Sequence, residues 1–230
     1  MAKAPKGSDT AIELPRLDTR MMEVTIIGDE PLIVHAWSKK AKLEMLGKQM
    51  KQAKGAKEAK DPVKDFQDSL YPIKGGGYGF PSVAFKAASV TACTSTGGVT
   101  KVAARQAFHI VGEGVDVEGA FPGTMMRMNL VRVSGGEPRM REDMVRVGMG
   151  TADLRYRGEF WPWFAKVLVR YNANVLSEAQ ILNLLNTAGF GVGVGEWRPE
   201  RDGMSGMFHV ATEADLKALE KASPRRRNAR

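Results

Sequence analysis

The chain has 230 residues, a length that one hydrophobic core with insertions can serve, because single cores stop growing near ~250 residues. It is 43% apolar and 26% charged, an ordinary globular composition that argues against collagen, coiled coil and wholesale disorder. No apolar run approaches the ~18 residues of a bilayer span. Lys and Arg number 34 against 26 Asp and Glu, a net charge of +8, which points to phosphate, to an acidic protein partner or to an anionic surface.

Cys93 is the one cysteine, so an intramolecular disulfide and a Cys-rich zinc site are both ruled out. A small buried hydrophobe is its expected role. The basic stretch Met1 to Lys6 has no apolar segment behind it, which argues against a secretory signal and for a cytoplasmic protein. Residues 1–20 and 223–230, the latter with Arg225, Arg226, Arg227 and Arg230, are expected to be tails flanking a single domain over 21–222.

Met22, Val24 and Ile26 alternate with Glu23 and Thr25, which predicts a strand to Gly28 with one buried face. Ser38 is placed to cap a helix whose Leu43, Leu46 and Met50 form an apolar stripe. Eight lysines lie between Ser38 and Lys60; they are either a solvated surface or a track for a phosphate backbone. Gly75 to Gly79 reads as a loop. Pro81-Ser82 then opens an Ala-rich helix, Val83 to Ser95, with a small-residue face of Val83, Ala87 and Val90 beside Ala84, Ala88 and Ala92.

Phe108 to Val111 predicts another strand. Arg127–Val133 and Arg139–Val147 flank Ser134-Gly135-Gly136-Glu137-Pro138, which predicts a projecting basic hairpin. Phe164 to Asn172 alternates cleanly, with Lys166 and Arg170 on its second face. Ser177 and Gln180 form a capping box ahead of a helix that buries Ile181, Leu184 and Leu185, and Gly189 is expected as its left-handed C-terminal cap. Phe208 and Val210 predict a last strand, and Thr212 with Asp215 a second capping box. The fold class expected is α+β, ferredoxin-like (RRM-like): a βαββαβ core with a basic helical insertion and a long hairpin, two helices on one face of the sheet and the other face free.

Gly189 to Pro199 is the most unusual stretch. Its glycines follow a helix and lack the G-x-G-x-x-G spacing, so it is not a dinucleotide fingerprint, and no P-loop pattern occurs. Alternate glycines permit close approach either to a neighbouring helix or to a phosphate-sugar chain; Arg198 and Arg201 favour the second. Arg155 to Phe164 interleaves arginines with Tyr156, Phe160, Trp161 and Trp163, which either stack bases or cover the core. His35, His109 and His209 have no local metal spacing, so neither metal nor cofactor is expected. His35, close to Asp29 and Glu30, leaves open an acid-base ribonuclease.

The opening strand, the helix begun by Phe80-Pro81-Ser82, the inserted hairpin and the glycine-rich run Gly189–Gly195 continuing to Asp202-Gly203-Met204-Ser205-Gly206 together resemble the RAMP superfamily. These are ferredoxin-fold proteins that form the RNA-binding backbone of CRISPR effector complexes. Over Met22 to Ala211, the resemblance implies subunits stacked head to tail along a single strand, with a thumb-like hairpin between groups of bases and other effector-complex subunits as partners. No residue matches the acid with which some members cleave RNA. The expected function is therefore non-enzymatic single-stranded nucleic-acid binding, RNA favoured over DNA. The expected contacts are Lys39, Lys40 and Lys42; Arg127, Arg132, Arg139, Arg141 and Arg146; Arg155 and Arg157; Lys166 and Arg170; and Gly191, Gly193, Gly195 and Arg198. The competing readings are an assembly protein that meets an acidic partner, and a metal-independent ribonuclease using His35.

Overall fold

The structure is a computed structural model, and it describes residues 16–52, 59–147 and 150–222. In chain order the elements are β1 (Thr19–Gly28), β2 (Leu32–Val34), α1 (Lys39–Gln49), α2 (Pro62–Asp68), β3 (Tyr78–Pro81), α3 (Ser82–Thr96) and α4 (Lys101–Ala107). They continue as β4 (Phe108–Val111), β5 (Glu113–Glu118), β6 (Met125–Ser134), β7 (Arg139–Val147), β8 (Thr151–Phe160), β9 (Phe164–Asn172), α5 (Glu178–Gly191), β10 (Phe208–Val210) and α6 (Glu213–Ala222). This is a mixed α+β fold whose strands all pair antiparallel. No helix among the described residues is long and apolar enough to cross a membrane.

The larger sheet runs β10-β1-β9-β6-β3. β9 follows β6 only through Val133 and Ser134 and then takes β4 as its neighbour, while β6 continues against β5. Phe108 to Glu118 thus enters the fork where β6 and β9 diverge. The turn between its halves needs Gly112, where a Cβ would stand 2.7 Å from the Leu130 backbone nitrogen. A smaller sheet, β2-β8-β7, is built on Leu32 to Val34 opposite Gly158 to Phe160.

The alternation of β1 and β9 sets the core. Val24, Ile26, Ala165, Val167 and Val169 point to the face covered by α3 and α5, and all are buried. Phe80, Phe85, Phe208 and Trp163 link edge to face at centroid distances of 5.9, 6.0 and 6.3 Å. The Trp163 indole donates to the Glu30 carbonyl oxygen at 2.8 Å, so its one polar atom is satisfied. Cys93 is buried in α3, as expected. The capping box is formed as the sequence predicts: the Gln180 N–H donates to the Ser177 hydroxyl and the Ser177 N–H to the Gln180 side chain. Thr212 and Asp215 make the same exchange.

Several expectations are corrected. Strand β1 begins at Thr19, inside the stretch expected as a tail; residues 1–15 and 223–230 of the expected tails lie outside the described residues, as do Lys54 and Lys57. Helix α1 buries no residue, and of the predicted stripe Leu43 and Met50 are exposed and Leu46 is only half-buried. Gly75 to Gly77 turn with positive φ, but Gly79 lies in β3. In α3 the buried set is Ser82, Phe85, Ala88, Ser89, Val90, Ala92 and Cys93, with Val83 and Ala87 exposed. The predicted β6–β7 hairpin does not form. β6 spends its edges on β3, β5 and β9, the Ser134–Pro138 segment carries the chain to the other sheet, and β7 pairs with β8 instead. Gly189 is no cap: it lies inside α5, where a Cβ would overlap the Phe208 carbonyl, and the helix continues to Gly191.

Candidate nucleic-acid interface

Folding places many of the predicted contacts against carboxylates. Lys39 reaches Glu118 at 2.8 Å, Arg127 lies 3.8 Å from Asp116, and Arg132 3.8 Å from Glu113 while donating to the Gly76 carbonyl oxygen. Lys40 and Lys42 follow Lys39 on the solvated α1. Lys166 lies 3.3 Å from Glu23, and Arg155 3.4 Å from Asp153. Such partly exposed pairs contribute little to stability, but they lower the charge a phosphate would meet.

The β7–β8 hairpin sorts its residues by alternation. One face carries Arg139, Arg141, Asp143, Arg155, Arg157 and Glu159; the other carries Met140, Glu142, Met144, Arg146, Leu154 and Tyr156. Asp143 is 7% exposed and is shared by Arg157 at 3.1 Å and Arg141 at 2.9 Å; Arg141 also reaches Glu159 at 2.7 Å. Arg157 is 2% exposed, and its Nε has no partner. It is a structural cation at the hairpin base rather than a surface contact. Arg146 remains exposed towards the projecting end, on the face of the exposed Met140 and Met144, and Arg139 is exposed at the base opposite Glu159.

The glycine-rich run folds onto its own chain. The Gly193 N–H donates to Ala188, the Val194 N–H to Gly206 and the Glu196 N–H to Ile33, so these donors are not available to a phosphate. A Cβ at Gly193 would lie 2.6 Å from the Pro199 ring, and one at Gly195 2.5 Å from the Ile33 carbonyl; both have positive φ. Gly191 has open space beside it. Arg198 is tied to Glu200 at 2.7 Å and to the Gly195 carbonyl at 3.0 Å. Close approach is indeed what the glycines permit, but to β2 and the loop itself.

Two grooves, of about 310 and 620 Å³, meet at His35 and Glu196. The first lies between α3 and the glycine loop, and the second between α1, α2 and β8. His35 Nδ1 stands 3.6 Å from Glu196. The Glu196 carboxyl is held below the usual carboxylate range, first by His35 and then, against burial, by the Arg157 charge. Asp29, expected beside His35, instead takes His209 at 2.6 Å. Each cation lining these grooves is matched: Lys60 by Asp153, Arg155 by Asp153 and Arg198 by Glu200. The grooves therefore hold more carboxylates than cations, five against two in the larger and two against one in the smaller, a poor track for a polyanion.

The unmatched charge lies elsewhere. The face of β1 and β9 turned away from α3 and α5 shows Met21, Leu168 and Arg170, with Lys166 already paired to Glu23 on the same face, and β4 adds His109 and Val111 in register with Arg170 and Leu168. At the edge of β4 not taken by β9, Lys86 of α3 meets His109 at 3.1 Å, and Lys101 and Arg105 of α4 lie next to it in the chain. Sequence reasoning found Arg170 and Lys166 but missed Lys86, Lys101, Arg105 and His109. They are isolated in sequence on two helices and a strand, and only the packing of α3 and α4 beside β4 gathers them. Trp161 is 38% exposed, and Trp163 belongs to the core. Among the described residues no group of His, Cys, Asp and Glu is arranged to hold a metal ion. No protein-family model matches the chain, and no curated protein sequence matches it either.

Proposed function

We propose that this chain binds single-stranded nucleic acid without cleaving it, RNA in preference to DNA, and assembles head to tail along the strand in the cytoplasm. The core that supports the reading is β1-α3-β4-β9-α5-β10, which has the β-α-β-β-α-β order of a ferredoxin-like domain. Its strands lie side by side as β10-β1-β9-β4, each antiparallel to the next. In such domains the sheet face opposite the helices receives single strands.

The observation that carries the proposal is that open face with its β4 edge. It offers apolar Met21, Val111 and Leu168 beside Arg170, with Lys166 paired to Glu23 at the far end, and is continued by Lys86, His109 and Arg105. Cations for phosphates beside apolar side chains on which bases can lie suit binding without sequence preference. The projecting β7–β8 hairpin, with Arg139, Arg146 and exposed methionines, suits contact with a neighbouring copy. A heterologous contact that does not close generates a filament.

Anisotropy of short labelled RNA and DNA in a salt series tests this. The logarithm of the affinity falls with the logarithm of salt by ~0.7 per phosphate contact. A flat response refutes strand binding. A second reading, a metal-independent ribonuclease, draws on the position of His35 beside Glu196 at the junction of the two grooves. EDTA-resistant cleavage lost in His35→Ala would replace the first reading with this one.

A further inference from the structure

We infer that Lys86, His109 and Arg170 form a phosphate-binding site at the free edge of β4. The Lys86 ammonium donates to the Arg105 carbonyl oxygen at 2.8 Å and stands 3.1 Å from His109 Nδ1. An ammonium has no lone pair, so Nδ1 must accept. That fixes the tautomer: His109 is neutral and carries its proton on Nε2. Arg170 faces His109 across the β4–β9 pair, and both are exposed. The third Lys86 proton, the His109 Nε2–H and the Arg170 fork therefore offer donors from three elements, with no acceptor among them.

The electrostatics agree with the geometry. His109 is held below its ordinary pKa by burial, by Lys86 and by Arg170, and Lys86 is lowered by burial. The charged groups acting on His109, from α3 and from β9, are both cationic. The two cations repel each other and disfavour a third charge on the imidazole between them, and an anion seated among them relieves both effects. A phosphate, with several acceptor oxygens around a tetrahedral centre, meets donors arriving from three elements; a planar carboxylate has only two oxygens. The strand-binding proposal would use the site for a backbone phosphate, but the site stands on this geometry whether or not that proposal holds.

The test follows the His109 ring protons by NMR through a pH titration, in inorganic phosphate and in chloride of matched ionic strength. The expected result is a saturable upward shift of the His109 pKa in phosphate alone. Lys86→Gln, at a half-buried position, and Arg170→Gln, at an exposed one, should each weaken phosphate binding by about tenfold or more, the loss of one charge-assisted hydrogen bond. In chloride, Lys86→Gln should also raise the His109 pKa, which verifies the contact independently of any ligand. Superimposable titrations in phosphate and chloride overturn the site. A further arm replaces phosphate with a short oligonucleotide. A His109 shift there assigns the site to a strand phosphodiester, and a shift with phosphate alone assigns it to a free phosphate or phosphomonoester.

Discussion

Replacing Asp143 by Ala removes the carboxylate on which two hairpin arginines converge. Asp143 and Arg157 are both inaccessible, 3.1 Å apart, and the Arg157 Nε is already without a partner. Breaking a buried pair from one side typically costs ~3 to 5 kcal/mol, because the remaining charge stays buried. Here Glu196 remains 3.8 Å from Arg157 and offsets part of that, so the lower end, about 3 kcal/mol, applies. In a chain of this size that corresponds to a fall in melting temperature of roughly 6 to 12 °C. The double variant Asp143→Leu with Arg157→Met should recover most of the loss, since an apolar pair of similar volume often replaces a buried ion pair at no cost. Thermal unfolding by circular dichroism, with oligonucleotide affinity measured on the folded protein, separates stability from binding. Asp143→Ala unfolding within about 2 °C of wild type would show that the Asp143–Arg157 pair does not hold the hairpin. Arg157→Met that lost affinity with unchanged melting would return Arg157 to the binding surface.

His209 bridges Asp29 and Asp215 at 2.6 and 3.3 Å, and despite opposing burial those carboxylates raise its pKa. A raised pKa stabilises the folded state below the ordinary histidine range and the benefit is lost as pH rises through the folded value. Melting temperature should therefore decline from mildly acidic to mildly basic pH, and His209→Ala should flatten that decline; a parallel slope in the variant would remove His209 as its cause. Gly189→Ala should cost ~1 to 3 kcal/mol, since the new Cβ would overlap the Phe208 carbonyl and push β10 off α5. Amide exchange on β10 reads the loss, and unchanged protection there would show that the helix yields instead.

The sequence alone determined whatever is local. Ser177 and Gln180 sit three apart, so the capping box forms wherever that helix lies. The alternation from Ala165 to Tyr171 makes a half-buried strand whichever neighbours it takes. The repeated capping motif at Thr212 and Asp215 and the turn of Gly75 to Gly77 are local in the same way. Tertiary structure decided what depends on partners distant in the chain. β6 and β7 read as a hairpin because they flank a turn-like segment, yet hydrogen-bond edges offered by β3, β5 and β9 left β6 nothing to give β7.

The candidate site divides in the same way. Each arginine is visible in the sequence, but its net charge to a ligand depends on whether a carboxylate lies within reach, as Asp143 does for Arg157 and Glu200 for Arg198. The glycines announced a close approach without naming the partner, which proved to be Ile33, Pro199 and Phe208. Lys86, His109 and Arg170 lie 23 and 61 residues apart along the chain. Only the strand register and the packing of α3 beside β4 bring them together, because electrostatic interaction depends on distance in space and not on separation along the backbone.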